Sequence, residues 1–378
     1  MLDPIIDWIK KIFALMIATV KGAIRWLLAP FVYLYTLYKT SGWILRSILL
    51  VLLIPVIITY GWFIWSALWI RGYDINYVDK YKLDELKVTA GEQVSSEGGS
   101  DTTKTCGRSA IAMVTSDLID FNVNQNSWIS SMPAYKGGFF GFSWDNTPWL
   151  DNKASFQRGV HQAIQRTTVE LTDTLGRIRG TSEVNKDLQS ARSAVQFDEF
   201  TWYFNPFDGK RPFGPTTKTP TYYRGAIKQL NKFNDDLANC KATFDVRADN
   251  LRTLVDRIAK DIGSTSASIK KRSEISNAGW FDVLADNQFM FSKGQLYGYY
   301  GILRAAHADF RDIIEKRNLG DVWDNMESQV KAALELDPMI ISNGREDGWM
   351  MPTHVTTMGF YILRVRSNLV EIRSVLDR

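Results

Sequence analysis

The sequence predicts an all-α protein, a membrane-anchored helical bundle with long coiled-coil-like helices, on three observations. First, Ser47 to Ile70 form a run of 24 residues without a charge. As a helix rising ~1.5 Å per residue the run reaches ~36 Å, enough to cross a hydrocarbon core ~30 Å thick. Second, apolar residues downstream recur at steps of three and four, the spacing of one helix face. Third, no long alternation of β-branched residues competes with that pattern.

Residues 1–42 read as an amphipathic interfacial segment. Asp3, Asp7, Lys10, Lys11, Lys21 and Arg25 fall within about 100° of a helical wheel whose remainder is Ile, Leu, Phe, Trp, Val and Ala. Such a helix is expected to lie in the membrane interface, with Lys10, Lys11, Lys21 and Arg25 binding anionic headgroups. The alternative is a second crossing, which places Lys21 and Arg25 in hydrocarbon at ~2.5–3.5 kcal/mol each. The segment FVYLYTLYKTSG after Pro30 then leads into the span.

Residues 43–71 are the expected transmembrane helix. Trp43 upstream, and Trp62, Trp65, Trp69, Tyr73 and Tyr77 downstream, stand where interfacial aromatics stand. Pro55 is expected to bend it, as membrane helices tolerate. A cleaved signal peptide needs a shorter apolar run, ~7–15 residues, and a small-x-small exit. WSALWIRGY supplies bulky residues instead, so the anchor is expected to stay attached. Residues 1–46 carry six basic and two acidic side chains, which favours a cytoplasmic N-terminus. The nearer flanks disagree: Lys39 and Arg46 precede the span, while Arg71, Lys80, Lys82 and Lys87 follow it. The whole segment weighs more, because long domains translocate largely regardless of charge.

The chain has a net charge of +4 and a pI near 8.8, yet residues 91–378 hold 35 basic and 35 acidic side chains. The basic excess lies at the membrane end, so it points to a lipid bilayer as partner and not to nucleic acid.

Residues 72–105 read as a juxtamembrane segment and linker, with VTAGEQVSSEGGSDTTKT (88–105) a mobile loop. Residues 106–378 are the expected helical domain. Within it Asn122 to Lys153 is irregular. Its Trp128, Phe139, Phe140, Phe142, Trp144 and Trp149 are expected to pack under a long loop, with an aromatic binding lip as the alternative. Helical spacing runs from Phe156 to Ile178 and from Val184 to Trp202. Tyr223, Ala226, Leu230, Phe233, Leu237, Cys240, Phe244, Leu251, Leu254 and Ile258 form a heptad seam broken only by Arg247, which predicts one long helix over 223–258. Further helices are expected over Leu296–Lys316, Val322–Leu336 and Thr353–Leu376, all in an antiparallel bundle.

Candidate chemistry is sparse. Cys240 on the seam is expected to be a buried thiol, and a bond to Cys106 is the alternative if the domain lies in an oxidising compartment. His161, His307 and His354 form no spaced ligand pair, so neither metal nor cofactor is expected. One connection gathers chemistry-bearing residues: in LDPMIISNGREDGWMMPTH, Asn343 with Gly344 and Asp347 with Gly348 are turn pairs, and Thr353 is placed to cap the final helix. A histidine in a first helical turn stays neutral beside the dipole and suits a general base. His354, with Asp347 and Glu346, is therefore the weak catalytic candidate, against a capped turn with solvated charges.

GYYGILRAAHADFRDIIEKR, WDNMESQVKAALELDPMIISNG and PTHVTTMGFYILRVRSNLVEIRSVLDR resemble the C-terminal signature of a family of uncharacterised inner-membrane proteins of Gram-negative bacteria, classed as a domain of unknown function. The resemblance implies a bacterial inner membrane and a periplasmic domain, and brings no activity or functional residues with it. The expected function is a membrane-anchored envelope scaffold or protein-interaction module, docking an envelope protein or a second copy. The rival is an envelope hydrolase, or a protein binding lipid or cell-wall fragments, with its site near the Asn343 to His354 connection. Whether the chain is an enzyme is left open by its sequence.

Overall fold

A computed structural model describes residues 3–86, 88–91, 94–95, 104–139, 141–177, 183–203, 215–276, 278–349 and 351–378. The chain divides into two compact units, Met1–Trp62 and Phe63–Arg378.

The first unit holds α1 (Asp3–Thr40) and most of α2 (Trp43–Leu68). The interfacial segment and the lead into the span are one helix of 38 residues that runs through Pro30. Its halves, Lys10–Trp26 and Leu28–Thr40, meet at 43°. The bend sits where Pro30 offers no N–H to the Trp26 carbonyl. After Ser41 the chain turns, and Arg46 donates to the Tyr38 carbonyl at 2.9 Å and the Lys39 carbonyl at 2.8 Å, satisfying acceptors that end α1. Lys10, Lys11, Lys21 and Arg25 are all exposed. At 26 residues α2 is long and apolar enough to cross a membrane, and the two halves of α1 pass the same test only when taken together.

The second unit is helical. It comprises α3 (Ala110–Asp120), α4 (Pro133–Gly137), α5 (Asn152–Glu170), α6 (Lys186–Val195), α7 (Thr219–Ala238), α8 (Ala248–Ile275), α9 (Ala285–Asp309), α10 (Arg311–Lys316), α11 (Gly320–Leu334) and α12 (His354–Leu376). Among the described residues the only ladder is a two-residue antiparallel pair, β1 (Val94–Ser95) with β2 (Lys104–Thr105).

The centre is the contact between α5 and α9. A Cβ on Gly159 would overlap the Phe291 carbonyl, one on Gly294 the Phe156 carbonyl, and one on Gly298 the Ala163 side chain. The contacts advance together along both helices, so this pair is parallel, which corrects the all-antiparallel expectation. A parallel pair requires a long intervening connection, and residues 171–284 supply it. Of the 25 residues of α9, 19 are buried. Burial on every side leaves no apolar stripe to read, and the expected helix from Leu296 to Lys316 starts eleven residues late and misses the break at Phe310. At its C-terminal end, Asp309 accepts from Ser109 Oγ, Ala110 N and Ile111 N at 2.8, 2.8 and 3.0 Å, capping α3. Asp261 of α8 binds the same pair from the side, accepting from Gln162 (2.6 Å), Gln295 (2.8 Å) and Tyr299 (2.6 Å).

The heptad seam requires correction. Its residues other than Cys240 are buried, but on two helices and the turn between them: α7 ends at Ala238 and packs on α3 and α6, while α8 begins at Ala248 and packs antiparallel on α12. The turn between them places Cys240 at a φ of 56°, folds the Lys241 and Ala242 N–H groups onto the Asp236 carbonyl, and closes a disulfide from Cys240 to Cys106. The expected buried thiol is thus an exposed half-cystine. Heptad spacing survives the turn because each helix needs an apolar face, whatever it faces.

Much of the segment read as juxtamembrane joins this core. Tyr73 and Tyr77 stack on Tyr297 at 5.3 and 4.4 Å, Tyr77 donates to the Tyr297 carbonyl at 2.9 Å, and Val78 and Leu83 are buried. Of the expected loop 88–105, Ala90 is buried and bridges Gly107, while 92–93 and 96–103 lie outside the described residues.

Gly294→Ala tests the helix pair. In an open helix this change stabilises by ~1 kcal/mol; here it is expected to lower the melting temperature, at an overpacking cost of ~1–3 kcal/mol. The disulfide joins residues 134 apart, so reductant is expected to destabilise the wild type by ~2–5 kcal/mol and to leave a Cys106→Ser/Cys240→Ser double variant unmoved in thermal melts.

Candidate functional site

One end of the helical unit concentrates its unusual chemistry. The last turn of α2 enters there, with Phe63 against Trp144 at 4.9 Å and Tyr135 at 6.2 Å. The N-termini of α5, α9 and α12 lie at this end, with the connections 138–151, 276–284 and 335–353 between them. Gly279 pairs with Asn343, Asn343 with Thr353, and Trp149 Nε1 donates to the Met339 carbonyl at 3.4 Å, so the three connections form one surface. Asn343 clamps it from below, donating to Asp282 at 2.8 Å; Asp282 is itself fully buried and paired with Arg272.

The surface is studded with exposed apolar side chains: Phe139, Phe142, Trp149, Trp280, Phe281, Met339, Ile340 and Trp349. The aromatic segment therefore divides. Trp128 and Trp144 are core, their indoles donating to the Glu199 and Ala134 carbonyls; Phe139, Phe142 and Trp149 are surface; Phe140 lies outside the described residues.

Beneath this surface lie buried charges of both signs. Lys153 and Lys293, each only 3% exposed, line a pocket of about 350 Å³ together with Trp69, Tyr73, Trp149 and Asp337. Lys153 Nζ donates to the Ser66 and Trp69 carbonyls at 2.9 and 2.8 Å, where the C-terminal end of α2 offers unpaired acceptors and negative dipole. Lys293 Nζ donates to the Leu336 carbonyl at 2.8 Å and Asp337 Oδ1 at 3.0 Å, below the Tyr73 ring. Burial, then the charge of Arg71, lowers the Lys153 pKa to about 8.

Asp151 stands at the N-cap position of α5 without a side-chain cap bond and Asp286 lies in the first turn of α9; both are buried, and only weak contacts from Asn287 and nearby backbone N–H groups, none a well-formed hydrogen bond, reach their carboxylates. Burial foremost, and next the charge of Asp286, raises Asp151 to about 8; burial raises Asp286 to about 7. The parallel α5–α9 contact brings these two helix N-termini to one end, and their dipoles offset part of the cost of ionising the pair.

The catalytic candidates are not assembled into a triad. His354 Nδ1 accepts the Ser342 N–H at 3.1 Å, and burial lowers its pKa, so the ring is neutral and serves the turn. Glu346 and Asp347 are exposed, Asp347 paired with Arg345 at 3.5 Å. They stand on the wall of a separate groove between α8 and α12, of about 890 Å³, with Phe360, Leu363 and Arg366. Thr353 occupies the N-cap position but its hydroxyl makes no cap bond, because pairing with Asn343 directs the backbone there. His161 is buried, its Nε2 2.9 Å from the Val195 carbonyl and its pKa lowered to about 4 by burial; His307 packs beside Trp323. Among the described residues no three His, Cys, Asp or Glu side chains gather as a metal site. A second, polar cleft of about 620 Å³ runs along α5 and α9, lined by Arg158, Gln162, Gln165, Arg166, Gln288 and Phe291.

Sequence reasoning missed Lys153, Lys293, Asp151 and Asp286. Lys293 alone left a signal, as an isolated charge in SKGQLYGYYGIL, an otherwise uncharged run. The other three look like ordinary residues of a polar turn.

Fold and site together define an all-helical domain with buried charges under an apolar surface at one end, in a chain that also carries a helix long and apolar enough to cross a membrane. Residues 126–276 and 268–378 match a family model described as "Uncharacterized protein conserved in bacteria (DUF2333)", and this chain belongs to that family. No curated protein and no solved structure matches significantly.

The aspartate pair makes stability depend on pH. Both folded-state pKa values are raised, so the folded chain holds protons that the unfolded chain releases near pH 4, and stability falls as pH rises from about 4 to about 8. Asp151→Asn and Asp286→Asn are each expected to flatten that decline and to raise the melting temperature at pH 8.5, measured on the full chain in detergent.

Proposed function

We propose that this chain is a membrane-anchored interaction module of the bacterial cell envelope, with α2 as its span and the helical domain outside the cytoplasm. The observation that carries the reading is α2 itself: 26 residues, apolar on all sides and almost uncovered by protein, which water does not tolerate and a bilayer does. The Cys106–Cys240 disulfide supports an oxidising compartment, and the basic excess of residues 1–46 supports a cytoplasmic N-terminus. In this arrangement residues 1–42 lie on the inner leaflet through Lys10, Lys11, Lys21 and Arg25, residues 43–71 span, 72–105 follow as the juxtamembrane segment, and 106–378 form the domain.

The apolar surface around Trp149, Trp280, Phe281 and Trp349 then meets the outer face of the same membrane, because it occupies the end of the domain where α2 enters. Aromatic residues at that depth anchor a domain against headgroups. The sides of the domain, among them the groove between α8 and α12, are what the module offers to an envelope partner or a second copy. The hydrolase reading has no assembled residues behind it.

A reporter that works only outside the cytoplasm, fused after Arg378, is expected to be active, and a reporter that works only inside is expected to be silent. The reverse pattern overturns the reading. The oxidation state of Cys106 and Cys240 in cells, read by alkylation before reduction, is expected to agree with the reporter.

A further inference from the structure

We propose that the pocket between Lys153 and Lys293 is a binding site for the phosphate group of a membrane phospholipid. The proposal rests on the reading of α2 as the span. Each ammonium has three N–H donors and commits two of them to protein oxygens, which leaves one apiece for a ligand. Both cations are almost wholly withdrawn from water, and the pocket they line contains a single carboxylate, that of Asp337. Asp337 is 90% exposed and pairs with Lys293; among the described residues Lys153 has no anionic partner at all. Two buried cations against one solvated carboxylate form an electrostatic deficit, and an anion offering two or more oxygens balances it.

Position selects the source of that anion. The pocket wall includes Ala67 and Leu68, the final residues of the apolar helix, and Trp69 just beyond it, so it opens at the depth where headgroup phosphates lie. Exposed Trp69, Trp149 and Met339 flank it with apolar surface on which glycerol and the first acyl carbons can rest. A phosphodiester held there would link the last turn of α2 to the segment just after α11 through the two lysines. It would thereby fix the angle at which the domain leaves the membrane.

The test uses the full chain, delipidated in neutral detergent, with three probes: a short-chain phosphatidylglycerol, the diacylglycerol with the same chains, and inorganic phosphate. Saturable binding of the phosphatidylglycerol, read by thermal shift and by native mass spectrometry, is expected. Diacylglycerol should not bind, and inorganic phosphate should bind far more weakly. Lys293→Gln and Lys153→Gln are each expected to weaken the lipid about tenfold, the loss of one charge-assisted hydrogen bond. Because either lysine change can also loosen the fold, Asp337→Asn is the decisive variant: it lies at the surface, leaves both lysines in place, removes their competing carboxylate, and is expected to tighten binding. Equal binding of lipid and diacylglycerol, or an Asp337→Asn chain that binds no tighter, overturns the proposal. Phosphate binding as tight as the lipid overturns the lipid assignment. Resistance to alkaline carbonate extraction reports the span separately: a released chain refutes the anchor, whereas a resistant chain indifferent to the headgroup refutes this site alone.

Discussion

Backbone meets backbone where α5 crosses α9, and the rest of the helical unit is arranged around that contact. Gly159, Gly294 and Gly298 remove the side chains that would hold the two helices apart, which brings carbonyls and Cα atoms of both chains into van der Waals range. Close approach multiplies small dispersion gains along the whole contact and leaves no room for water. It also dictates direction. A parallel pair puts two helix N-termini side by side, so the chain must travel back between them, and α6, α7 and α8 wrap the pair as that return path.

Polar groups in this interior are placed where a helix end or a neighbouring donor supports them. Asp309 faces the N-terminus of α3, and Asp261 accepts from both central helices. Lys153 faces the Ser66 carbonyl in the last turn of α2, and Lys293 faces the Leu336 carbonyl two residues beyond the end of α11. Asp151 and Asp286 depart from this rule, since no well-formed hydrogen bond reaches their oxygens. Burial raises both carboxyls into the neutral range, which makes them sensitive to proton supply there.

The two ends of the domain consequently differ. Away from α2 the α7–α8 turn is secured covalently to the segment before α3, and surface charges form ordinary pairs such as Arg252 with Asp377 at 2.9 Å. At the α2 end, loops replace helices and large apolar side chains face outward. An exposed surface of that kind on a soluble domain invites association.

The sequence by itself determined the class of fold, the helix of membrane-spanning length and the separation of a basic N-terminal region from a neutral domain, because these depend on composition and on spacing within one segment. It also marked α11 and α12 to within a few residues, since each keeps one polar face. The parallel direction of α5 and α9 was not legible, nor were the limits of α9, because a helix buried all round carries no stripe. Heptad spacing across 223–258 misled for a related reason: periodicity records that a face is buried and says nothing about which partner buries it. The sequence offered the Cys106–Cys240 bond only as the alternative to a buried thiol, and distance in the fold decides for it. Lys153, Lys293, Asp151 and Asp286 become a site only when the starts of α5 and α9, more than a hundred residues apart in the chain, meet at one end, and that meeting is set by the glycine contacts between the same two helices.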